Sequence, residues 1–274
     1  MDLSVIIRCC DDTRIFRCID SIHDDVEIIV STTANGDIQS RLEGQGVSYC
    51  IVPKGNLSLT SNAGFDAATH EKVFFTDSDT YFDRSCLKHV DSALDQVKVV
   101  SAKIIFEKHP RSPFSRLVAE AREYVNSLPV VYTPGIGVRK SLKEDIGGFL
   151  FNDAVPFAVD ADLTYRIHRA NIPVRHLYSA LLYHDAETVY HDLNSAFRIG
   201  AGCMESAFDL VRRHEFPDSP HSIVQELKGV KREYWYRMIR TKGFLVFLYQ
   251  LLWDISFYTG RTHHSIQHSA PWVI

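Results

Sequence analysis

The sequence predicts an α/β protein, a mostly parallel sheet with helices on both faces, followed by a C-terminal helical extension. Three observations carry this. In the first part of the chain, short β-branched runs alternate with segments of helical spacing, the rhythm of a parallel sheet covered on both sides. Runs such as LSVIIRC (3–9) and VEIIVS (26–31) are nearly continuous in apolar residues, as strands buried on both faces require. From residue 191 onward the chain reads mainly helical.

Taken in order, LSVIIRC is the first strand. Residues 11–22 follow with Ile15, Cys18, Ile19 and Ile22 at helical spacing. Residues 26–31 form a second strand, and Asn35-Gly36 reads as a turn. GVSYCIV (46–52) is a third strand, ended by Pro53 and Gly55, and residues 56–70 are a helix with Asn56 or Ser58 as its cap. The run from Val73 to Thr76 is the fourth strand. Beyond it, VKVVSAKIIF (97–106) is strand-like, residues 112–125 look helical, and TPGIGVRK (133–140) is punctuated by glycine. GGF (147–149) is a loop, a helix starts at about Val159, and VRHLYSALLYH (174–184) is strand-like.

Composition bounds the function. The 274 residues are 45% hydrophobic and 23% charged, ordinary for a globular protein with ample core. A formal charge of −4 gives no reason to expect nucleic-acid binding. The six cysteines form no C-x-x-C pair and sit mostly in apolar runs, so a reduced, cytoplasmic setting is the expectation. The N-terminus lacks the pattern of a signal peptide, and no run of 18 apolar residues marks a transmembrane helix.

The stretch KVFFTDSDTY (72–81) ends an apolar strand in two carboxylates, Asp77 and Asp79. Residues i and i+2 of extended backbone point the same way, so both acids aim at one place. In α/β sheets that place, the carboxyl end of a strand, is where ligands bind. Carboxylate oxygens suit hard cations such as Mg²⁺ or Mn²⁺, and such a cation stabilises a diphosphate leaving group. The same residues also serve as a strand-terminating turn with solvated aspartates, and a second D-x-D occurs at Asp160 and Asp162.

Five pieces occur in one order: SVIIRCCDD, EIIVSTTANGD, NLSLTSNAGFDAATHEKVFFTDSDT, GGF and VDADLTYR. Together, over roughly residues 3–184, this series resembles the family 2 glycosyltransferases of GT-A fold. The resemblance implies a nucleotide-sugar half at about 1–106, an acceptor half at about 107–190, and a helical region at 191–274. It implies an inverting transfer of a sugar, most simply from a UDP-linked donor, to a glycan, lipid-linked or other hydroxyl acceptor. Arg8, Cys9 and Cys10 would line the base pocket, largely through backbone groups. Thr32 stands where the family usually carries an aspartate that contacts uracil; a threonine can hydrogen-bond a base but carries no charge. Asn62 matches the family's A-R-N-x-G motif, whose arginine is replaced by Ser61, with Lys54 as a substitute cation. Asp77, Ser78 and Gly148 would belong to the nucleotide-sugar site. Asp79 would ligate Mn²⁺ or Mg²⁺, with Asp77 and His184 as further metal positions; otherwise His184 is a surface or core histidine.

By the same resemblance Asp160 is the base that takes the acceptor's proton, and Val159 replaces a glutamate. On a helix, residues i and i+2 lie about 200° apart, so Asp160 and Asp162 cannot face one substrate together. Both also suit a helix N-terminus as acids in the first turn. At 228–242, six basic residues and one acid interleave with Tyr234, Trp235 and Tyr236, and the apolar segment 244–258 follows. This suits peripheral contact with the inner face of a membrane; a hairpin packed on the domain or a homodimer interface accounts for it equally. Two other functions compete. A sugar nucleotidyltransferase would want a glycine-rich phosphate loop after the first strand, and RCCDDTRIF has no glycine. A non-catalytic sugar-nucleotide-binding module fits the changes at Thr32, Ser61 and Val159, but not the retention of Asp77, Asp79 and Asp160.

Overall fold

The computed structural model describes residues 1–108, 113–127, 130–212 and 231–267. Its first stretch alternates as the sequence predicts: β1 (Leu3–Cys9), α1 (Ile15–Asp20), β2 (Glu27–Thr32), α2 (Gly36–Gly44), β3 (Ser48–Ile51), α3 (Leu57–Ala67) and β4 (Lys72–Asp77). Then come β5 (Thr80–Phe82), α4 (Cys86–Leu94), β6 (Val99–Phe106), α5 (Pro113–Val125), β7 (Ile136–Arg139), α6 (Leu142–Asp145), α7 (Val159–Arg169) and β8 (Val174–His184). The last elements are α8 (Val189–Arg212), α9 (Lys231–Lys242) and α10 (Phe244–Gln267).

The eight strands form one sheet in the order β3-β2-β1-β4-β7-β6-β8-β5. Four pairings are parallel: β1 with β2 and with β4, β2 with β3, and β6 with β8. β7 runs antiparallel between β4 and β6, and β5 antiparallel to β8. Residue alternation along the strands divides the core between the two faces. Leu3, Val5, Ile7 and Phe74 join one apolar cluster with α1 and α4. Ile6, Val73 and Phe75 join another with Phe65 of α3 and Val159 and Leu163 of α7. Phe74 and Phe75 are fully enclosed, and burial of such a side chain contributes roughly 1.5–3 kcal/mol.

Several elements differ from the sequence reading. Asn35-Gly36 starts α2 rather than a free turn, and the Asn35 side chain accepts the backbone N–H groups of Asp37 and Ile38. Caps and turns use the same asparagine geometry, which is why the dipeptide alone does not separate them. β5 has too few residues to show a period, and the glycine-punctuated 133–140 stretch contains β7. Residues 213–230, within the expected C-terminal helical region, lie outside the described residues, as do 228–230 of the basic segment.

The C-terminal helices are tied to the rest by close backbone contact. A Cβ at Gly200 of α8 would lie 1.9 Å from the Phe257 carbonyl oxygen, and one at Gly260 of α10 would lie 2.0 Å from that of Phe197. No larger residue fits at either crossing point. A further cluster joins Val118 and Ala121 of α5 to Met238 of α9 and Val246 and Tyr249 of α10.

Candidate active site

The carboxyl ends of β1 and β4 open into a cavity of about 1650 Å³, walled on its other side by α5, α7, α8, α9 and α10. Because β1 and β4 are parallel neighbours in register, Arg8 stands beside Asp77. Arg8 Nε donates to Asp77 Oδ1 at 2.7 Å and Nη2 to Oδ2 at 3.0 Å. Nη2 also donates to the Thr133 carbonyl at 3.1 Å. The guanidinium is 6% exposed, and its Nη1 is enclosed without a hydrogen-bond partner among the described residues. The sequence reading gave Arg8 a role through its backbone; its side chain instead forms the floor of the site.

Asp160, one residue into α7, faces the same floor. It accepts the backbone N–H of Thr133 at 3.1 Å and also the Thr133 hydroxyl. Ala158, just before the helix, holds a left-handed φ of 62°, which sets the angle at which α7 starts. Burial raises the Asp160 carboxyl to about 6, against the opposing charge of Arg8 and the Thr133 hydrogen bonds. A carboxyl in that range changes protonation near neutral pH, as a general base must.

Asp162 points elsewhere, as helix geometry requires. It is buried, accepts Arg166 Nε at 2.9 Å and Ser206 Oγ at 2.8 Å, and thereby ties α7 to α8. Arg166 extends the tie to the carbonyls of Ile146, Phe149 and Leu150. Val159, at the family's glutamate position, is 4% exposed and belongs to the core.

The second chemical group lies where β5 meets β8. Thr80 pairs with His184, and Asp185 N–H donates to the Asp79 carbonyl at 2.9 Å. Asp79, His184 and Glu187 offer ligand atoms within 4.8 Å of one another. His184 Nε2 is 3.5 Å from Asp79 Oδ1 and 4.0 Å from Glu187 Oε1. Its Nδ1 lies 2.8 Å from the Asp185 carbonyl, so that nitrogen carries the proton and Nε2 keeps its lone pair for the cluster. The Phe106 ring stacks on the imidazole at 4.8 Å. Asp79 Oδ1 is enclosed and accepts no hydrogen bond among the described residues. Burial pushes the Asp79 carboxyl up, whereas for His184 the downward pull of burial is outweighed by Asp79, the Asp185 carbonyl, Glu187 and Asp77 together, and the ring is raised. An enclosed bare carboxylate oxygen beside an imidazole lone pair and a second acid fits a divalent cation.

Asp77 does not belong to this cluster; its carboxylate is taken up by Arg8. Glu187 takes the third position, and the sequence reading missed it. The available signal was an acid three residues past His184, at the end of a strand. Arg14 closes the rim, with ion pairs to Asp12 at 2.8 Å, Asp79 at 3.5 Å and Asp185 at 3.4 Å.

The remaining expected contacts divide. Cys9, Cys10 and Ser78 line the cavity; Cys10 is exposed, Cys9 is nearly enclosed, and Ser78 donates to Asp12 Oδ2 at 3.1 Å. Thr32 is fully buried, its hydroxyl donates to the Thr33 carbonyl, and it does not line the cavity. Thr33 faces the cavity in its place and donates to Asp11 Oδ1 at 2.9 Å, while Lys54 pairs with Asp11 at 3.3 Å. Asn62 does not line the cavity either: its amide donates to the Phe151 carbonyl and to Asp153, and its oxygen accepts Phe151 N–H. It fastens the 148–153 loop to α3. Gly148 lies in that loop away from the cavity, with a φ of 85° that favours glycine for the turn rather than for a ligand. Ser61 is buried and donates to the Leu57 carbonyl.

No family model matches the sequence, and no curated protein does. Solved structures match its fold. A mannosyltransferase from Pyrobaculum calidifontis, solved with GDP-Man and Mn²⁺, is 16% identical with a TM-score of 0.56, over 98% of this chain and 84% of that one. TarS 1–349 from S. aureus, solved with UDP-GlcNAc, is 15% identical with a TM-score of 0.53, over 99% of this chain and 93% of that one. The same TarS segment solved alone is 17% identical with a TM-score of 0.51. At these identities the likeness is one of fold: this is the GT-A-like architecture found in glycosyltransferases.

Proposed function

We propose that this protein is a glycosyltransferase of the family 2 type. It moves a hexosyl group from a nucleotide-sugar to an acceptor hydroxyl in one displacement with inversion. The observation that carries the reading is that Asp160, held by Thr133 and raised into the working range of a base, shares one cavity with the Asp79, His184 and Glu187 cluster. Two separate chemical needs, a proton acceptor and a counter-charge for a diphosphate, are met in the same space.

Asp79, His184 and Glu187 would hold Mn²⁺ or Mg²⁺, which when bound neutralises the diphosphate leaving group. Asp160 takes the proton of the acceptor hydroxyl as its oxygen bonds to the anomeric carbon. The bond from that carbon to the diphosphate oxygen breaks, and the nucleoside diphosphate leaves with the electron pair. Arg8 fixes Asp77 and, through its charge, limits how far burial raises Asp160. Thr33, Asp11 and Lys54 are the side chains offered to the base, in place of the aspartate this site lacks at Thr32. UDP-linked sugars are the first donors to test, with GDP-mannose beside them, since the similar structures were solved with one of each kind.

The deciding experiment incubates the protein with a panel of nucleotide-sugars and acceptors, with Mn²⁺, Mg²⁺ or a chelator, and measures released nucleoside diphosphate. Metal-dependent release is expected. Calorimetric binding of a nucleotide-sugar with no release under any acceptor would favour a non-catalytic binding module, and no binding at all would sink both readings.

A second reading concerns where the protein works. Phe244, Leu245, Leu248, Leu252 and Ile255 are exposed along α10, at spacings that put them on one helix face. Arg237 and Arg240 are exposed on the adjoining α9 with Tyr236. Among the described residues no helix is long and apolar enough to cross a membrane. An apolar stripe edged by cations suits an anionic membrane surface, where each cation is worth about 1 kcal/mol. Lys242 is paired with Glu123, so Arg240 is the better cation to change. Arg240→Glu with Leu248→Glu and Leu252→Glu is expected to abolish sedimentation with phosphatidylglycerol vesicles at low salt. If the unaltered protein stays in the supernatant and runs as a dimer, the stripe is a homodimer interface instead.

A further inference from the structure

Among the described residues three arginines are buried: Arg8, Arg166 and Arg261. The first is matched by Asp77, the second by Asp162 and backbone carbonyls. Arg261 differs. It is 7% exposed, yet among the described residues its guanidinium has neither an ion pair nor a hydrogen-bond acceptor, and its Nε is fully enclosed. Among the described residues the groups that act on its charge are Cys203 and Tyr258, not a carboxylate. The rings of Phe257 and Tyr258, at 5.9 and 5.4 Å, offset part of the cost of enclosing the cation. An enclosed charge without a counter-charge is nonetheless expensive to hold.

The side chain cannot relax by turning its helix. Gly260, the preceding residue, sits against the Phe197 carbonyl with no room to spare, and Gly200 locks the facing helix in the same way. Arg261 lines the cavity that holds Asp160. Cys203 of α8 lies within electrostatic reach of both. The Asp79, His184 and Glu187 cluster, where the donor's diphosphate would lie, is not among the groups acting on Arg261.

We propose that Arg261 is the anion-binding residue of the acceptor subsite, so that the acceptor carries a phosphate or similar oxyanion group near the hydroxyl that reacts. Assignment to the acceptor rests on the glycosyl-transfer reading above; the anion site itself does not. The ligand supplies the counter-charge that the described residues do not, and an acceptor without it leaves the guanidinium without one.

The test loads the whole protein with saturating nucleoside diphosphate and Mn²⁺, which occupies the donor side. Its melting temperature is then followed as sulfate, the oxyanion probe, is added against chloride at equal ionic strength, at concentrations too low for general salting effects. The wild type is expected to show a saturable rise, lost in Arg261→Met and kept with a weaker midpoint in Arg261→Lys. Without sulfate, Arg261→Met is expected to melt no lower than the wild type, because it keeps the aliphatic volume and removes the unpartnered charge. A structural arginine would give a lower melting temperature. No saturable rise in the wild type, or the same rise in Arg261→Met, overturns the proposal, and the wild-type titration decides even if the methionine variant does not fold. Two further arms, run once sulfate has given the rise, separate the carriers: a rise with glucose 1-phosphate at lower concentration than with sulfate assigns a phosphorylated carbohydrate, and a further rise with phosphatidylglycerol vesicles that Arg261→Met loses assigns a lipid headgroup. Calorimetry of the nucleotide in the same samples checks the transferase reading independently. Loss of nucleotide binding would sink that reading, whereas normal binding with indifference to sulfate sinks this one alone.

Discussion

Asp160→Asn is expected to lower sugar transfer by about 10²- to 10⁴-fold, the usual contribution of a positioned general base. Donor affinity should be nearly unchanged, because Asp160 bonds Thr133 rather than the Asp79 cluster. The amide keeps the shape but accepts no proton. The wild-type rate should rise with pH through about 6, where the carboxyl loses its proton, and level off above neutrality. The sign follows from the role: a base works ionised, and burial has moved its ionisation upward. The same shift means that the native state holds the proton more tightly than the unfolded chain, so this group's contribution to folding is full below the ordinary carboxylate range, declines as pH rises, and is gone above about 6. In Asp160→Asn the rising limb of the rate profile should vanish with the activity. Asp162→Asn gives the contrast. Its carboxylate holds Arg166 and Ser206 in the interior, and breaking a buried pair costs about 3–5 kcal/mol. That variant should melt well below the wild type yet transfer sugar normally while folded. Loss of transfer in Asp162→Asn with a mild effect in Asp160→Asn would overturn the assignment.

Asp79→Ala is expected to weaken Mn²⁺ binding by about 100-fold or more, since even a partner outside the ligand shell commonly costs about 10- to 100-fold. Metal-dependent binding of the nucleoside diphosphate should fall with it. Glu187→Gln should show the same direction, whereas Asp77→Asn should leave metal affinity close to that of the wild type, because Asp77 is engaged by Arg8. Titration of each variant with Mn²⁺, read by calorimetry with and without nucleotide, separates these outcomes. Equal metal affinity in Asp79→Ala and wild type would remove the cluster from consideration as a cation site.

The strands at 3–9 and 26–31 and the run from Val73 were legible because a strand enclosed on both faces must be apolar almost throughout. That was enough for the parallel rhythm, and with it the strand end where Asp77 and Asp79 sit. Asp160 and Asp162 were separable in advance, since helix geometry sends their side chains to different sides. Asn62 and Thr32 were not legible. Both occupy motif positions, but one amide is consumed by Phe151 and Asp153 and the other hydroxyl by its own backbone. The partners of Asn62 lie 89 and 91 residues away and leave no trace in the local pattern, and the burial of Thr32 is set by the strands and helices packed around β2.

Which residue types stand at the strand ends, and which helix faces are apolar, follows from local period and chain direction and is written in the sequence. Which charges meet is settled by the packing. Arg8 finds Asp77 through strand register, Glu187 joins Asp79 and His184 because β8 pairs with β5, and Arg261 finds no carboxylate among the described residues where two glycines lock α8 against α10. Coulomb energy depends on distance and on the surrounding dielectric. Both are set by the packing of segments far apart in the chain, and a pattern read along one segment contains neither.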